Sequence, residues 1–339
     1  MNNSGLISRI DLSIIIVSFN TAELLRACLQ SIYNHVSGLN FEVIVVDNAS
    51  NDDSVRIVRE EFPEAVLIEN EDNTGYARAI NQGVDKAHGS FCAVMNSDTE
   101  LTEDIISPAV EYIKTHSHTG AVGCMLILPD GRPQRSFFKF PTLCGRLAYF
   151  TGVNRLINAE SVTSRRQIRL KREKKEVKSR KDIEVEVICG AFFVVNREVL
   201  LSIGGFDPDY FLYHEEADVF YRLHKSGYRN VILSNITLVH HGRHGETPDN
   251  PAVYYHRNRS LLLYFHKNRS RISLWMLICM NVFFIVLKLL WNLLPAGDKS
   301  LRELRRASHL SVLKYYLKFI TFLRGSTTSG LGKSGTEFP

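Results

Sequence analysis

Four times between Leu12 and Asp98 an apolar run closes on Asn, Asp or Ser and gives way to a new segment. The runs are Leu12 to Phe19 (LSIIIVSF), Phe41 to Val46 (FEVIVV), Ala65 to Glu69, and Phe91 to Asp98 (FCAVMNSD). Their β-branched content and 4–8-residue length read as strands. Between them lie helical patterns. Thr21 opens one whose Leu25, Cys28, Leu29 and Ile32 share a face. A second runs from Asp53 to Phe62 and stops at Pro63, and a third runs from Tyr76 to about Ala87, with Gly89 leading into the fourth strand. Strand and helix alternating over short links predict a doubly wound, mostly parallel α/β sheet. Ligands of such sheets bind beyond the carboxyl ends of the strands, so the closing residues matter most. They are Asn20, Asp47 with Asn48, Asn73, and Asn96-Ser97-Asp98. Each alone is ordinary turn chemistry, and Ser97 and Asp98 would also suit the cap of a helix starting near Glu103. Four in succession describe one polar cleft able to bond a nucleobase, a ribose and a diphosphate-bound cation.

No G-x-G-x-x-G follows the first strand and no G-x-x-x-x-G-K-[ST] occurs, which excludes the dehydrogenase and P-loop readings. A content of 45% hydrophobic and 23% charged residues excludes wholesale disorder. The net charge of +5 is concentrated, since 165–181 carries ten Lys/Arg against two Glu and leaves the rest close to neutral. Such a run is a solvated loop first and an anionic-surface contact second, and no nucleic-acid-binding motif accompanies it. Six cysteines at 28, 92, 124, 144, 189 and 279 lack C-x-x-C spacing and fit reduced thiols of a cytosolic compartment. The N-terminus has no signal-peptide pattern.

The second half adds acids and imidazoles. Val187 to Val195 (VICGAFFVV) reads as one strand, with Gly190 and Ala191 small enough for a ligand to approach the backbone. A short helix from Arg197 to Ile203 stops at Gly204-Gly205. Glu215, Glu216 and Asp218 then open another helix, which ends at Gly227. The macrodipole favours carboxylates there, but an aromatic run beside them (FLYHEE) would also raise a carboxyl's pKa and make it a better base. After a last apolar run come His240, His241, Arg243 and His244, either turn residues or, with Asp98 across the cleft, metal ligands.

Taken in order, LSIIIVSFN, VIVVDNASND, NTGYARAIN, MNSD and GGFDPDYFLYHEEADVFYRLHKSGYR resemble the family 2 glycosyltransferases of GT-A fold, in particular their rhamnosyltransferase-like branch. The likeness spans roughly residues 11–270 with a gap around 151–185. It implies a nucleotide-sugar donor held by Ser18, Asn20, Asp47, Asn73, Gly75, Asn81, Asn96 and Ser97, with Asp47 on the base. It also implies Mg²⁺ or Mn²⁺ on Asp98, the retained part of D-x-D, and on His240 or His241. Asn96 stands where the first Asp of that motif would be. The family's general base matches Glu216, with Glu215 beside it, so the reaction would be a single inverting displacement. A dTDP-rhamnose donor and a polyprenyl-linked or growing cell-surface glycan acceptor follow from the branch.

The resulting organisation is a GT-A domain over 1–250, a helical membrane-associated region over 251–325 and a disordered tail over 326–339. The domain has a nucleotide half (11–130), a basic insertion (151–185) and an acceptor half (185–250). A helix from Pro251 to Lys267 precedes Ile272 to Leu294, which is long enough to cross a bilayer and has Trp275 and Trp291 as interfacial anchors. Basic residues on both sides, Asn281 and Lys288 within it, and the amphipathic stretch Leu310 to Leu323 make an in-plane helical pair its competitor. A buried helix of a homo-oligomer is the third possibility. Either membrane arrangement places the chain on the cytoplasmic face of the cell membrane. Two rivals complete the reading: a non-catalytic membrane-attached scaffold or glycan-binding protein on the same fold, and a sugar-nucleotide pyrophosphorylase, whose Gly- and Lys-rich first loop is missing.

Overall fold

A computed structural model describes residues 10–152, 182–242, 250–293 and 298–328. The basic run 165–181, Arg243, His244 and the tail beyond 328 lie outside the described residues. The chain divides into two compact units. One comprises Met1–Phe140, Asn158–Asp207 and Glu216–Gly242; the other comprises Pro141–Ile157, Pro208–Glu215 and Arg243–Pro339.

The first unit is built on a nine-stranded sheet. Strands β1 (Leu12–Ser18), β2 (Phe41–Asp47), β3 (Val66–Glu69) and β4 (Phe91–Asn96) form its parallel half in the order β3-β2-β1-β4. Helices α1 (Ala22–His35), α2 (Ser54–Glu61) and α3 (Tyr76–Lys86) make the crossovers. Every residue of β1 is buried, as both faces of a parallel sheet demand. Burying Ile14, Ile15 and Ile16 contributes about 1.5–3 kcal/mol each. Helix α1 buries Leu25, Cys28, Leu29 and Ile32, the face its spacing predicts. Gly83 lets α3 lie against the sheet, because a Cβ there would fall 2.4 Å from Ile15 Cγ2.

The chain continues through β5 (Thr99–Glu100), β6 (Thr119–Ile127), β7 (Phe137–Phe138), β8 (Asp182–Val185), β9 (Val187–Ile188), β10 (Phe192–Asn196) and β11 (Arg229–His240). Here the sheet becomes mixed. β10 runs antiparallel between β4 and β6, β11 runs parallel to β6, and β5 and β8 lie antiparallel to β11. The predicted strand Val187 to Val195 is two strands, because β9 pairs with β7 in a separate ribbon while β10 enters the main sheet. Gly190 stands in the break. Helix α4 starts at Ile106, where Asp104 Oδ1 accepts from the N–H groups of Ile106 and Ser107. Ser97 and Asp98 are therefore not its caps; they sit in the turn between β4 and β5.

The helices of the second unit, among its described residues, are α5 (Leu143–Thr151) and, beyond α6 (Arg197–Ser202) and most of α7 (Glu215–Lys225) of the first unit, α8 (Pro251–Asn268), α9 (Arg271–Trp291) and α10 (Lys299–Thr328). Asn250 caps α8 through the Ala252 N–H, with Pro251 in the first turn. Helix α9 buries Leu274, Leu277, Ile278, Asn281 and Ile285, one stripe at helical spacing. Its polar member is satisfied: Arg146 donates to Asn281 Oδ1 (2.8 Å) and Asn258 Oδ1 (2.6 Å), and Asn281 Nδ2 donates to the Tyr316 hydroxyl.

Candidate active site

Asp98 is held by the short ladder between β5 and β11, in which Thr99 faces His240 and Glu100 faces Val239. Its backbone oxygen accepts from His241 N (2.9 Å) and its Oδ2 from Gly242 N (3.1 Å). Its Oδ1 lies 3.3 Å from His240 Nε2. Burial pushes the carboxyl's pKa up, but the hydrogen bond and charge of His240, with the Gly242 N–H, more than offset it and leave the group below the usual range. The other ring nitrogen of His240 is 2.7 Å from Gln134 Oε1. Gln134 thus holds the ring with Nε2 toward Asp98. A metal-ligating imidazole is commonly oriented in this way.

His241, expected beside His240, turns elsewhere: its Nε2 lies 3.3 Å from Glu100 Oε2. His241 is the first residue beyond the end of β11. Among the described residues no group of three or more His, Cys, Asp or Glu gathers around one point. Asp98 and His240 nevertheless fit a Mg²⁺ or Mn²⁺ site that takes its remaining oxygens from a bound diphosphate, since such ions keep few protein ligands.

The loops at the carboxyl ends of β1, β2 and β4 are tied together as the strand-end residues predict. Ser18, Thr21 and Ser97 form a chain of hydroxyls with steps of 3.1 and 2.8 Å. Asn20, in the left-handed region at φ 54°, receives the Asn51 N–H on its side chain and gives its own N–H to Ser50 Oγ. Asn48 accepts from Asn70 and Thr74 and donates to Gly75 O, while Asn73 Oδ1 accepts from Gly75 N (3.0 Å). Asp47 is 2% exposed and accepts from Ser50 N through Oδ2, but its buried Oδ1 has no hydrogen-bond partner among the described residues. Leaving a charged acceptor unmade is costly, and a donor from a ligand would remove that cost.

Asn81 behaves otherwise than expected of a donor-site residue. Its Nδ2 donates to Phe206 O (2.7 Å) and its Oδ1 accepts from Phe206 N (2.9 Å), so the amide fastens α3 to the Gly205-Phe206 turn.

Glu216 lies at the start of α7 against the break between β9 and β10: a Cβ added at Gly190 would be 3.8 Å from Glu216 Cβ. The Tyr76 hydroxyl lies 2.7 Å from Asn96 Oδ1 and 3.1 Å from Gly190 O, joining the Asp98 turn to that break. Asn96 N also donates to Ala191 O (3.0 Å). Burial pushes the Cys189 thiol, next to that break, up to about 12. Glu216 and the turn that carries Asp98 therefore both border the Gly190 break, the latter through Asn96 and Tyr76. Of their companions, Asp218 is paired with Arg222 (2.7 Å) one helical turn on, and Glu215 is buried. Tyr213 and His214 precede them with φ of 67° and 65°, a left-handed pair costing about 1–3 kcal/mol per residue. Tyr76 and Gln134 were not singled out from the sequence. Tyr76 lies inside the NTGYARAIN motif, where a closer look could have found it, but no local signal marks Gln134.

The pattern for "Glycosyl transferase family 2" matches residues 13–204. The chain is 25% identical over 235 residues, covering 65% of itself and 74% of its relative, to an N-acetylglucosaminyl-diphospho-decaprenol L-rhamnosyltransferase of Mycobacterium tuberculosis. It is 33% identical over 114 residues, 32% of itself and 44% of the other chain, to a PGL/p-HBAD biosynthesis glycosyltransferase of Mycobacterium bovis. In fold it is similar to a Pyrobaculum calidifontis mannosyltransferase solved with GDP-Man and Mn²⁺, with a TM-score of 0.52, 20% identity, and coverage of 97% of this chain and 89% of that one.

Proposed function

The chain belongs to glycosyl transferase family 2, and on that premise we propose that it moves one sugar, with inversion, from a nucleotide-diphosphate sugar to a lipid-linked or growing cell-surface glycan. The observation that carries the proposal is that the Gly190 break lies beside Glu216 on one side and is tied by the Tyr76 hydroxyl to Asn96, two residues before Asp98, on the other. Asp98 and His240 are the residues to hold Mg²⁺ or Mn²⁺, which when bound supplies Lewis-acid neutralisation of the departing nucleoside diphosphate. Gln134 holds the His240 ring in its working orientation. The Asp47 Oδ1 waits for a donor of the nucleotide. Glu216 takes the proton from the acceptor hydroxyl as that oxygen attacks the anomeric carbon, and the diphosphate leaves from the opposite side. One displacement inverts the centre and needs no enzyme nucleophile.

The name of the mycobacterial relative supports dTDP-rhamnose as the first donor to test and a polyprenyl-diphosphate-linked sugar as the first acceptor. On the same reading the chain works in the assembly of a lipid-linked glycan at a membrane. The test is nucleoside-diphosphate release by purified full-length protein with Mg²⁺ or Mn²⁺ and a panel of donors. Release is expected from the wild type and lost in Asp98→Ala and Glu216→Gln. No release from any donor would favour a non-catalytic scaffold or glycan-binding protein, and a requirement for a nucleoside triphosphate would indicate a pyrophosphorylase.

A further inference from the structure

The helical unit has a cleft of about 310 Å³ whose lining includes Tyr149 of α5, Tyr254 of α8, Lys288 and Trp291 of α9, and Arg305 and His309 of α10. Among the described residues that line it there is no Asp or Glu. Lys288 Nζ sits 5.9 Å from the Tyr149 ring centre and 5.2 Å from that of Phe150, and the Arg146 guanidinium stands 4.4 Å over Phe150. Arg146 is bonded to two neutral amide oxygens, so two cations stand against the same ring. Residues 250–328 as a whole carry thirteen Lys/Arg against two Asp/Glu. The cleft is thus a positive, aromatic-walled recess, a setting in which an anion gains from every wall. One polar atom of its lining, the Tyr254 hydroxyl, is buried with no hydrogen-bond partner among the described residues, and His309 is only 7% exposed. Burial and the Lys288 charge hold the His309 imidazole down to about 4, in keeping with a surplus of positive charge.

The lip of the cleft is apolar. Trp291, 73% exposed, ends a stripe on α9 formed by Ile272, Met276, Phe283, Leu287 and Leu290, all exposed. That stripe lies opposite the one that α9 buries, and at 1.5 Å per residue it is about 30 Å long. A helix that packs one side on protein and presents the other, apolar side with a terminal Trp has the form of an interfacial element. We propose that this cleft binds the phosphate-bearing headgroup of a membrane lipid, while the exposed stripe of α9 lies in the acyl layer beside it.

The site stands whether or not the transfer reaction does, and the test keeps the two apart. Full-length protein is sedimented with phosphatidylcholine vesicles, alone or doped with phosphatidylglycerol or a long-chain polyprenyl diphosphate, and donor hydrolysis to free nucleoside diphosphate is followed in parallel. Wild type is expected to prefer a doped vesicle. The double variant Lys288→Ala/Arg305→Ala should lose roughly thirtyfold of that preference, the weight of two interfacial cations, with hydrolysis unchanged. Trp291→Ser should weaken binding to every vesicle alike, which checks the apolar half separately and does not depend on the double variant folding. Preference for both doped vesicles supports a general phosphate headgroup, and preference for the polyprenyl diphosphate alone supports a diphosphate-specific site. Equal binding to neutral and doped vesicles, or an unaltered preference in a folded double variant, overturns the proposal. Thermal stabilisation by inorganic diphosphate without any vesicle preference overturns it in favour of a soluble ligand.

Discussion

Replacing Asn81 by alanine separates two roles that one side chain could have. The amide makes two hydrogen bonds to one residue, at 2.7 Å to Phe206 O and 2.9 Å to Phe206 N. Phe206 is itself fully buried and packs with Phe193. Truncation therefore leaves a backbone donor and a backbone acceptor unmade beside the core. At about 1–3 kcal/mol for each stranded group, reduced because Asn81 is half-buried and water can reach it, the loss is roughly 2–4 kcal/mol. For a body of this size that lowers Tm by roughly 5–15 °C. Asn81→Asp should be at least as damaging, because it keeps the acceptor for Phe206 N but sets a carboxylate oxygen against Phe206 O. The assay is thermal unfolding read by circular dichroism, with KM for the donor measured well below the transition. The expected result is a large fall in Tm with KM little changed. An unchanged Tm with a raised donor KM would refute the structural assignment and restore Asn81 to the nucleotide sugar.

Four further outcomes follow from the same geometry. Gln134→Leu should leave stability nearly intact but weaken Mn²⁺ affinity about 10–100-fold in a calorimetric titration with nucleoside diphosphate present, because the His240 ring loses its anchor; equal affinity would show that the ring needs none. Gly205→Ala should cost about 1–3 kcal/mol in urea unfolding, since φ is +67° and the new Cβ would meet Asn81 Oδ1 at 2.9 Å. Gly190→Ala, whose Cβ meets only Glu216 at 3.8 Å, should unfold like the wild type yet lose transfer if substrate uses that space. Finally, His309 titrates at about 4 in the folded chain against about 6.5 unfolded, so the unfolded state binds more protons between those values. Stability is then full above pH 6.5 and falls by roughly 3 kcal/mol as the pH drops to 4, a loss that His309→Phe should abolish in pH-dependent denaturation curves.

The parallel half of the fold was legible because its information is local. Period, length and punctuation between Leu12 and Asn96 predict β1 to β4 and α1 to α3 to within a residue or two. The second half was less so. Nothing in VICGAFFVV says that its first two residues pair with Phe137 and Phe138 while the remainder inserts between β4 and β6. The break at Gly190 is a decision made by partners distant in the chain. Among site residues, Asp98, His240 and Glu216 stood out by type and position, whereas Gln134 and Tyr76 matter only through what they touch. His241 and Asn81 show the converse, as chemically apt residues whose side chains are taken up by Glu100 and by Phe206.

By itself, then, the order of residues determined the α/β class, the family and which acids were available, because apolar periodicity and strand-end chemistry are properties of short windows. Only the tertiary structure decided which acid borders the Gly190 break, which imidazole faces Asp98, and that α9 keeps one apolar face outward while Asn281 is consumed by Arg146 and Tyr316. The physical reason is that direction is not written locally. A hydrogen bond or a buried charge is settled by whatever the rest of the chain brings within about 3 Å of it.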